Sequence, residues 1–379
     1  MKSFLLVTDI FPPDIGGPAS FIDRLGHSLA ASGGKVTVIC ASDAPGDPSD
    51  ASRPFRVLRI RRSDKGFKFR LYRLLCLELL RHDRVLVNGL EYPAHRAAKL
   101  CRKAYVMKIV GDYAWEFARN TSVTSLGIDE FQKHESSHPE VRRMRERRKL
   151  YLAGAADVIT PSEYLRGMVI GWGLDPDRVR TILNGVPLDH YAAAVPRRRA
   201  AGERLEVAFA GRLANWKGVE TLLLAVHGLS DPGALRVHIL GDGPEGPLLA
   251  GLSRQLGLDG SVIFHGRVPP KEIPGWLAKT HALVLVSDYE GLSHTLIEAC
   301  AAGLACIASD HGGNPEVIRD GDTGLLVPYG DPPALTRALA RLIADEDLRF
   351  ALAARAKSGS ARFDFARTVE RTVELLART

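Results

Sequence analysis

SFLLVTDIFPPDIGGPASFIDRLGHSLAASGGKVTVICAS, residues 3–42, decides the fold class. Residues 3–11 are a short apolar run of the kind that makes a buried strand, and 12–19 are a loop rich in Gly and Pro. From Ser20 the apolar residues fall at helical spacing, and the pattern stops at Gly33. KVTVICAS, residues 35–42, is a second strand. Strand, helix and strand in succession make a βαβ unit, which requires a parallel sheet. Working outward, RVLVNG (84–89), YVMKIVGD (105–112) and DVITPS (157–162) read as further strands, with a helix from about Ser162. The pattern then restarts. LEVAFAGRL (205–213), LRVHILGDG (235–243), SVIFHGRV (261–268), HALVLVSD (281–288), ACIASD (305–310) and GLLVP (324–328) are strands. Helices fall at VETLLLAVHGL (219–229) and HTLIEACAAG (294–303), and residues 334–379 read as helical.

Two α/β halves of similar plan are therefore expected, 1–186 and 204–355, joined by the Pro- and charge-rich stretch 184–204. The length agrees, since 379 residues exceed what one core usually holds. The formal net charge of +7 suits an anionic partner, whether nucleic acid, anionic membrane or phosphorylated substrate. Five cysteines without a CxxC pair argue against a disulfide framework or a zinc site. The opening MKSFLLVTDIFPP is interrupted by Asp9 and does not read as a signal peptide. No run approaches the ~18 apolar residues of a membrane span, so a cytoplasmic protein is expected.

In a doubly wound sheet, ligands bind outside the carboxyl ends of the strands. GGPAS (16–20) follows the first strand and opens a helix, which favours an anion; taken alone, a plain tight turn is the better reading. GRLANWKG (211–218) places Arg212 and Lys217 beside a helix start. Two cations with backbone amides suit a diphosphate, and the plain alternative is two solvated charges. GDGPEG (241–246) matches the dinucleotide fingerprint, but no acidic residue ends the next strand, so hydride transfer is poorly supported. SDYEGLSHTLIEACAAG (287–303) carries Glu290 in a loop and Glu298 about one turn into an apolar helix. A solvated helix position is one reading of Glu298. A carboxylate holding a pair of ligand hydroxyls is the other, with the first amides of the helix turned to the same ligand.

These segments together resemble the retaining glycosyltransferases of family 4: EGLSHTLIEACAAG with its two glutamates eight apart, SDHGGNPEVIRDGDTGLLVP, GRLANWKG, GDGP, FHGRVP and the opening PPxxGG. The resemblance covers nearly the whole chain. It implies the α/β GT-B fold, two Rossmann-like domains whose parallel sheets face each other across a cleft. A terminal helix, 356–379, would return to the N-terminal acceptor domain. Arg212 and Lys217 would bind the diphosphate of a UDP-, GDP- or other nucleotide sugar, and Glu298 its ribose. Glu290 would contact the transferred sugar, Leu292 and Ser293 would offer it amides, and His294 and Thr295 would offer theirs to phosphate. Val268 would lie by the base, Gly241 in the turn lining the nucleotide, and Gly17 near the donor phosphates from the other domain.

The chemistry implied retains the anomeric configuration and needs neither metal nor cofactor. Many members carry a His-Asp pair after the strand corresponding to YVMKIV, where this chain has Gly111 and Asp112. Asp112 is carried over as a catalytic residue with Glu290, Lys217 and Arg212. Trp115 and Glu116 shape an acceptor pocket or, for Trp115, the core. KGFKFRLYRLLCLELLRHDR (65–84) and HPEVRRMRERRK (138–149) mix basic and apolar residues. Each is a solvated helix face or a dock for anionic lipid, and together they suggest a peripheral protein with a sugar or lipid-linked acceptor. No nucleic-acid module is recognisable. A nucleotide-sugar epimerase or hydrolase of similar fold, or a non-catalytic binder, are the competing classes.

Overall fold

The computed structural model describes residues 2–14, 16–41, 47–200 and 202–379. Ser42 at the end of the expected second strand, Ile15 in the Gly/Pro loop and Ala201 in the expected linker lie outside them. The chain divides into two compact units. The first comprises Met1–Ala114, Ser136–Leu183 and Thr368–Thr379; the second comprises Trp115–Glu135 and Asn184–Arg367.

The first unit is built on a seven-stranded parallel sheet of order β3-β2-β1-β4-β5-β6-β7. Its strands are β1 (Ser3–Thr8), β2 (Lys35–Ala41), β3 (Arg56–Ile60), β4 (Arg84–Asn88), β5 (Val106–Lys108), β6 (Asp157–Thr160) and β7 (Val179–Thr181). All six residues of β1 are buried, so a continuous apolar run is what the position demands. The connections run through α1 (Gly17–Ala31), α2 (Phe67–Leu79) and α3 (Glu91–Cys101). Beyond α4 (Tyr113–Asn120) and α5 (Ile128–Lys133) come α6 (Pro139–Gly154) and α7 (Glu163–Gly171). Ser162 caps α7 by accepting from the amide of Leu165. One face of the sheet buries Leu5, Val7, Ile39, Val85, Val87 and Met107 against α2, α3 and α7.

The second unit holds a six-stranded parallel sheet of order β10-β9-β8-β11-β12-β13. The strands are β8 (Leu205–Ala210), β9 (Leu235–Leu240), β10 (Val262–Gly266), β11 (Ala282–Leu285), β12 (Ala305–Ser309) and β13 (Leu325–Val327). The helices between them are α8 (Val219–His227), α9 (Gly246–Gln255), α10 (Ile273–Leu277) and α11 (His294–Ala301). The C-terminal run resolves into α12 (Pro332–Ala344), α13 (Glu346–Gly359) and α14 (Phe365–Arg378). From Thr368 onward α14 counts with the first unit, where the Thr368 hydroxyl donates to the Leu183 carbonyl at 2.8 Å. Both sheets reverse strand order beside their first strand, between β1 and β4 and between β8 and β11. That is the doubly wound plan of a Rossmann domain, and it marks where ligands bind. All five cysteines are free thiols. Among the described residues, no helix is long and apolar enough to cross a membrane.

Candidate functional site

In the second unit, the loops after β8, β9, β11 and β12 converge at the carboxyl edge of the sheet. The loop after β8 is pinned to its neighbour by two bonds: Leu213 donates to the Asp242 carbonyl at 3.0 Å, and Glu245 donates to the Leu213 carbonyl at 3.1 Å. Gly241 belongs to this contact, because a Cβ there would lie 1.8 Å from the carbonyl oxygen of Gly211. The GxG turn is thus needed for loop-on-loop packing. Val268, half-buried, follows β10, which is tied to the same turn by Gly241 donating to the Gly266 carbonyl at 2.9 Å.

Gly218 caps α8 with φ +70°, and a Cβ would sit 2.0 Å from the Val286 carbonyl. Only glycine lets the loop after β8 approach the end of β11 so closely. Across that contact the Asp288 amide donates to the Trp216 carbonyl at 2.8 Å. The outcome is a pairing absent from the sequence reading: Lys217 Nζ lies 2.7 Å from Glu290 Oε1, with both side chains mostly buried. The Ser287 hydroxyl donates to the same oxygen at 3.0 Å. Gly313 donates to the Glu290 carbonyl at 2.8 Å, and Ser309 Oγ to the Ser287 carbonyl at 2.5 Å. Arg212 is exposed, and its side chain has no partner among the described residues.

Helix α11 begins just beyond Glu290. Ser293 caps it by accepting from the Leu296 amide at 3.2 Å, and Asn184 Nδ2 donates to the Leu292 carbonyl, also at 3.2 Å. Leu296, Ile297, Ala299, Cys300 and Ala301 are buried. His294, Thr295 and Glu298 are half-buried and lie three and four residues apart, so they share the one face turned away from the core. Glu298 therefore shares its face with the first two residues of the helix.

The sequence left Trp115 between an acceptor pocket and the core, and did not show its partners. Trp115 is fully buried, 5.4 Å from the ring of Trp216 and 5.6 Å from that of Tyr289. Its Nε1 donates to the Leu126 carbonyl at 3.0 Å. It is core of the second unit, brought there by the segment Trp115–Glu135. His311 Nδ1 lies 3.6 Å from the buried Asp288, whose hydrogen bond raises the His311 pKa, and its ring stacks on Tyr329. These partners come from distant loops, so no local spacing could announce them. Among the described residues, no group of three or more His, Cys, Asp or Glu is placed to hold a metal ion.

Two expected site residues belong to the first unit. Gly17 opens α1, half-buried. Asp112 is buried, accepts from the Ala114 amide at 3.0 Å and pairs with Arg148 Nη1 at 2.7 Å. The basic stretch 138–149 therefore turns Arg148 inward. Arg148 is buried, and its guanidinium lies over the Trp172 ring at 3.6 Å.

The profile of the Glycosyltransferase Family 4 domain matches residues 15–190, and that of Glycosyl transferases group 1 matches 194–359. The chain belongs to glycosyltransferase family 4. A relative from Corynebacterium glutamicum (strain R), named D-inositol 3-phosphate glycosyltransferase, is 30% identical over 66% of this chain and 63% of its own. One of the same name from Streptomyces bingchenggensis is 32% identical over 60% of this chain and 54% of its own. The chain thus spans less than two thirds of the length of either relative. Among solved structures, Anabaena HepE in complex with UDP superimposes with a TM-score of 0.78 at 18% identity, over all of both chains. Sucrose-phosphate synthase from Thermosynechococcus elongatus gives 0.79 at 20% identity, over 100% of this chain and 99% of its own. These likenesses establish the GT-B fold for this member of family 4.

Proposed function

We propose that this glycosyltransferase moves a hexosyl group from a nucleoside diphosphate sugar to an acceptor hydroxyl, with retention of configuration and without a metal ion. The observation that carries this reading is the Lys217–Glu290 pair of 2.7 Å beside the start of α11, with Arg212 exposed on the same loop as Lys217. Departure of the diphosphate builds negative charge. Lys217, Arg212 and the amides of the first turn of α11 offset that charge in the role a metal would otherwise take. Glu290, already fixed by Ser287, accepts from a hydroxyl of the transferred sugar, and Glu298 accepts from the ribose. The sugar C1–O bond to phosphate breaks, and the acceptor oxygen bonds C1 on the same face. The acceptor proton passes to the leaving phosphate oxygen.

Structures of similar fold are described as complexes with UDP and UDP-glucose, and the named relatives act on D-inositol 3-phosphate. Uridine diphosphate sugars and phosphorylated polyols are therefore the first substrates to test. The basic and apolar helices of the first unit support a protein on the inner face of the cell membrane, making a glycolipid or polysaccharide. The decisive assay incubates the chain with a UDP-α-sugar, acceptor and excess EDTA, and reads the anomeric proton coupling of the product by NMR. An α-linked product formed in EDTA supports the proposal. A β-linked product, or a strict need for Mg²⁺ or Mn²⁺, refutes it. Turnover of donor with no acceptor present favours the hydrolase or epimerase reading.

A further inference from the structure

We propose that the carboxyl edge of the first unit's sheet, at Asn88 and Lys108, binds a phosphate group carried by the acceptor. Thr8, Asn88 and Lys108 are the last residues of the neighbouring strands β1, β4 and β5. Thr8 is in register with Asn88, and Val87 with Met107, so the three side chains leave the same face of the sheet. They sit at the point where the strand order reverses, the ligand position of a doubly wound sheet.

Asn88 and Lys108 are each 2% exposed, yet neither Asn88 Nδ2 nor Lys108 Nζ has a hydrogen-bond partner among the described residues. Lys108 makes no ion pair among them either; its ammonium lies 4.5 Å from the ring centroid of Phe21, one turn into α1. The start of α1 is itself suited to an anion. Gly16 precedes it, no side chain caps it, and its first turn contains no acidic residue. An orphan ammonium, an orphan amide and an uncapped helix start all ask for negative charge from one side. Asp9, which follows β1, and Gly16 and Gly17, at the start of α1, are only half-buried. Asp9 Oδ1, also without a partner among the described residues, offers an acceptor for a ligand hydroxyl, and burial raises the Asp9 pKa.

A structural role does not account for Lys108. An unpaired buried ammonium is costly, and a methionine would fill the same volume. Burial alone draws the Lys108 pKa down to about 7, so a bound phosphate would draw in a proton with it.

The proposal rests on the transferase reading only for the word acceptor. Calorimetry on the full chain with D-inositol 3-phosphate, inorganic phosphate, myo-inositol and UDP tests it. Lys108→Met is expected to weaken D-inositol 3-phosphate and inorganic phosphate by at least about tenfold, leave UDP within about twofold, and raise the melting temperature. Asn88→Ala should weaken the same two probes. Unchanged phosphate affinity in Lys108→Met overturns the proposal. So does a wild type that binds UDP but neither phosphate probe. A tenfold loss of UDP affinity in Lys108→Met would also overturn it, by assigning the anion to the donor. UDP binding by the wild type reports on the transferase reading separately.

Discussion

Glu298 occupies the one face of α11 that does not enter the core, in line with His294 and Thr295. A carboxylate at that position can accept from both hydroxyls of a nucleotide ribose, so Glu298→Ala should lower nucleoside diphosphate affinity by roughly tenfold or more. Calorimetry with unchanged affinity would remove Glu298 from the site. Lys108 makes a second prediction. Its folded pKa of about 7 lies below the ordinary lysine value of 10.5, so between those values the unfolded chain binds the extra proton and stability rises with pH. Lys108→Met should therefore gain most at and below pH 7, and its advantage should shrink by up to about 1.4 kcal/mol per pH unit above it. Denaturant titrations at pH 7 and 9 showing a constant advantage would mean that Lys108 keeps its proton throughout. The sequence made Arg212, Lys217 and Glu290 visible because each follows a strand. It could not show that Lys217 and Glu290, 73 residues apart, meet each other, since only the close packing at Gly218 brings their loops together.

Helix α2 has two apolar faces. Leu71, Leu75 and Leu79 are buried, while Phe69, Leu77 and the following Leu80 are 73%, 44% and 70% exposed, with Arg73 in the same stripe. Leu100 of the neighbouring α3 and Leu150 of α6, which packs on α3, are exposed as well. A stripe of this kind with Lys68 and Arg70 on the same helix, and Arg142 and Arg143 exposed on α6, is the surface to test against an anionic bilayer. The chain should sediment with phosphatidylglycerol vesicles at low salt. At about 1 kcal/mol per basic residue, changing Lys68, Arg73, Arg142 and Arg143 to Glu should weaken that binding roughly a hundredfold or more. Sedimentation unaffected by these changes would identify α2 and α6 as ordinary solvated helices. Arg148 is excluded from the set because it holds Asp112. Among the strands, the central ones were legible because they are buried on both faces and read as continuous apolar runs. RVLRI (β3) and VRT (β7) escaped because they are the two edges of the sheet, where charge interrupts the pattern.

For the whole molecule, the doubled α/β plan was readable from the restart of the strand pattern near residue 205. The membership of Trp115–Glu135 was not, because it depends on which aromatic rings Trp115 meets. A fragment cut at the apparent linker, residues 184–367, lacks Trp115 and so uncovers Trp216 and Tyr289. It is expected to melt below the intact chain's second unit and to bind a hydrophobic dye, whereas residues 115–135 fused ahead of it should reverse both effects. A fragment as stable without the segment would make the aromatic contact dispensable. The same arrangement bears on how such proteins diversify. If the second half of this chain were exchanged for a relative's by recombination at the linker, the graft would receive Trp115 from one parent and the rings it meets from the other. Such a chimera would keep its aromatic contact only where both parents carry matching rings.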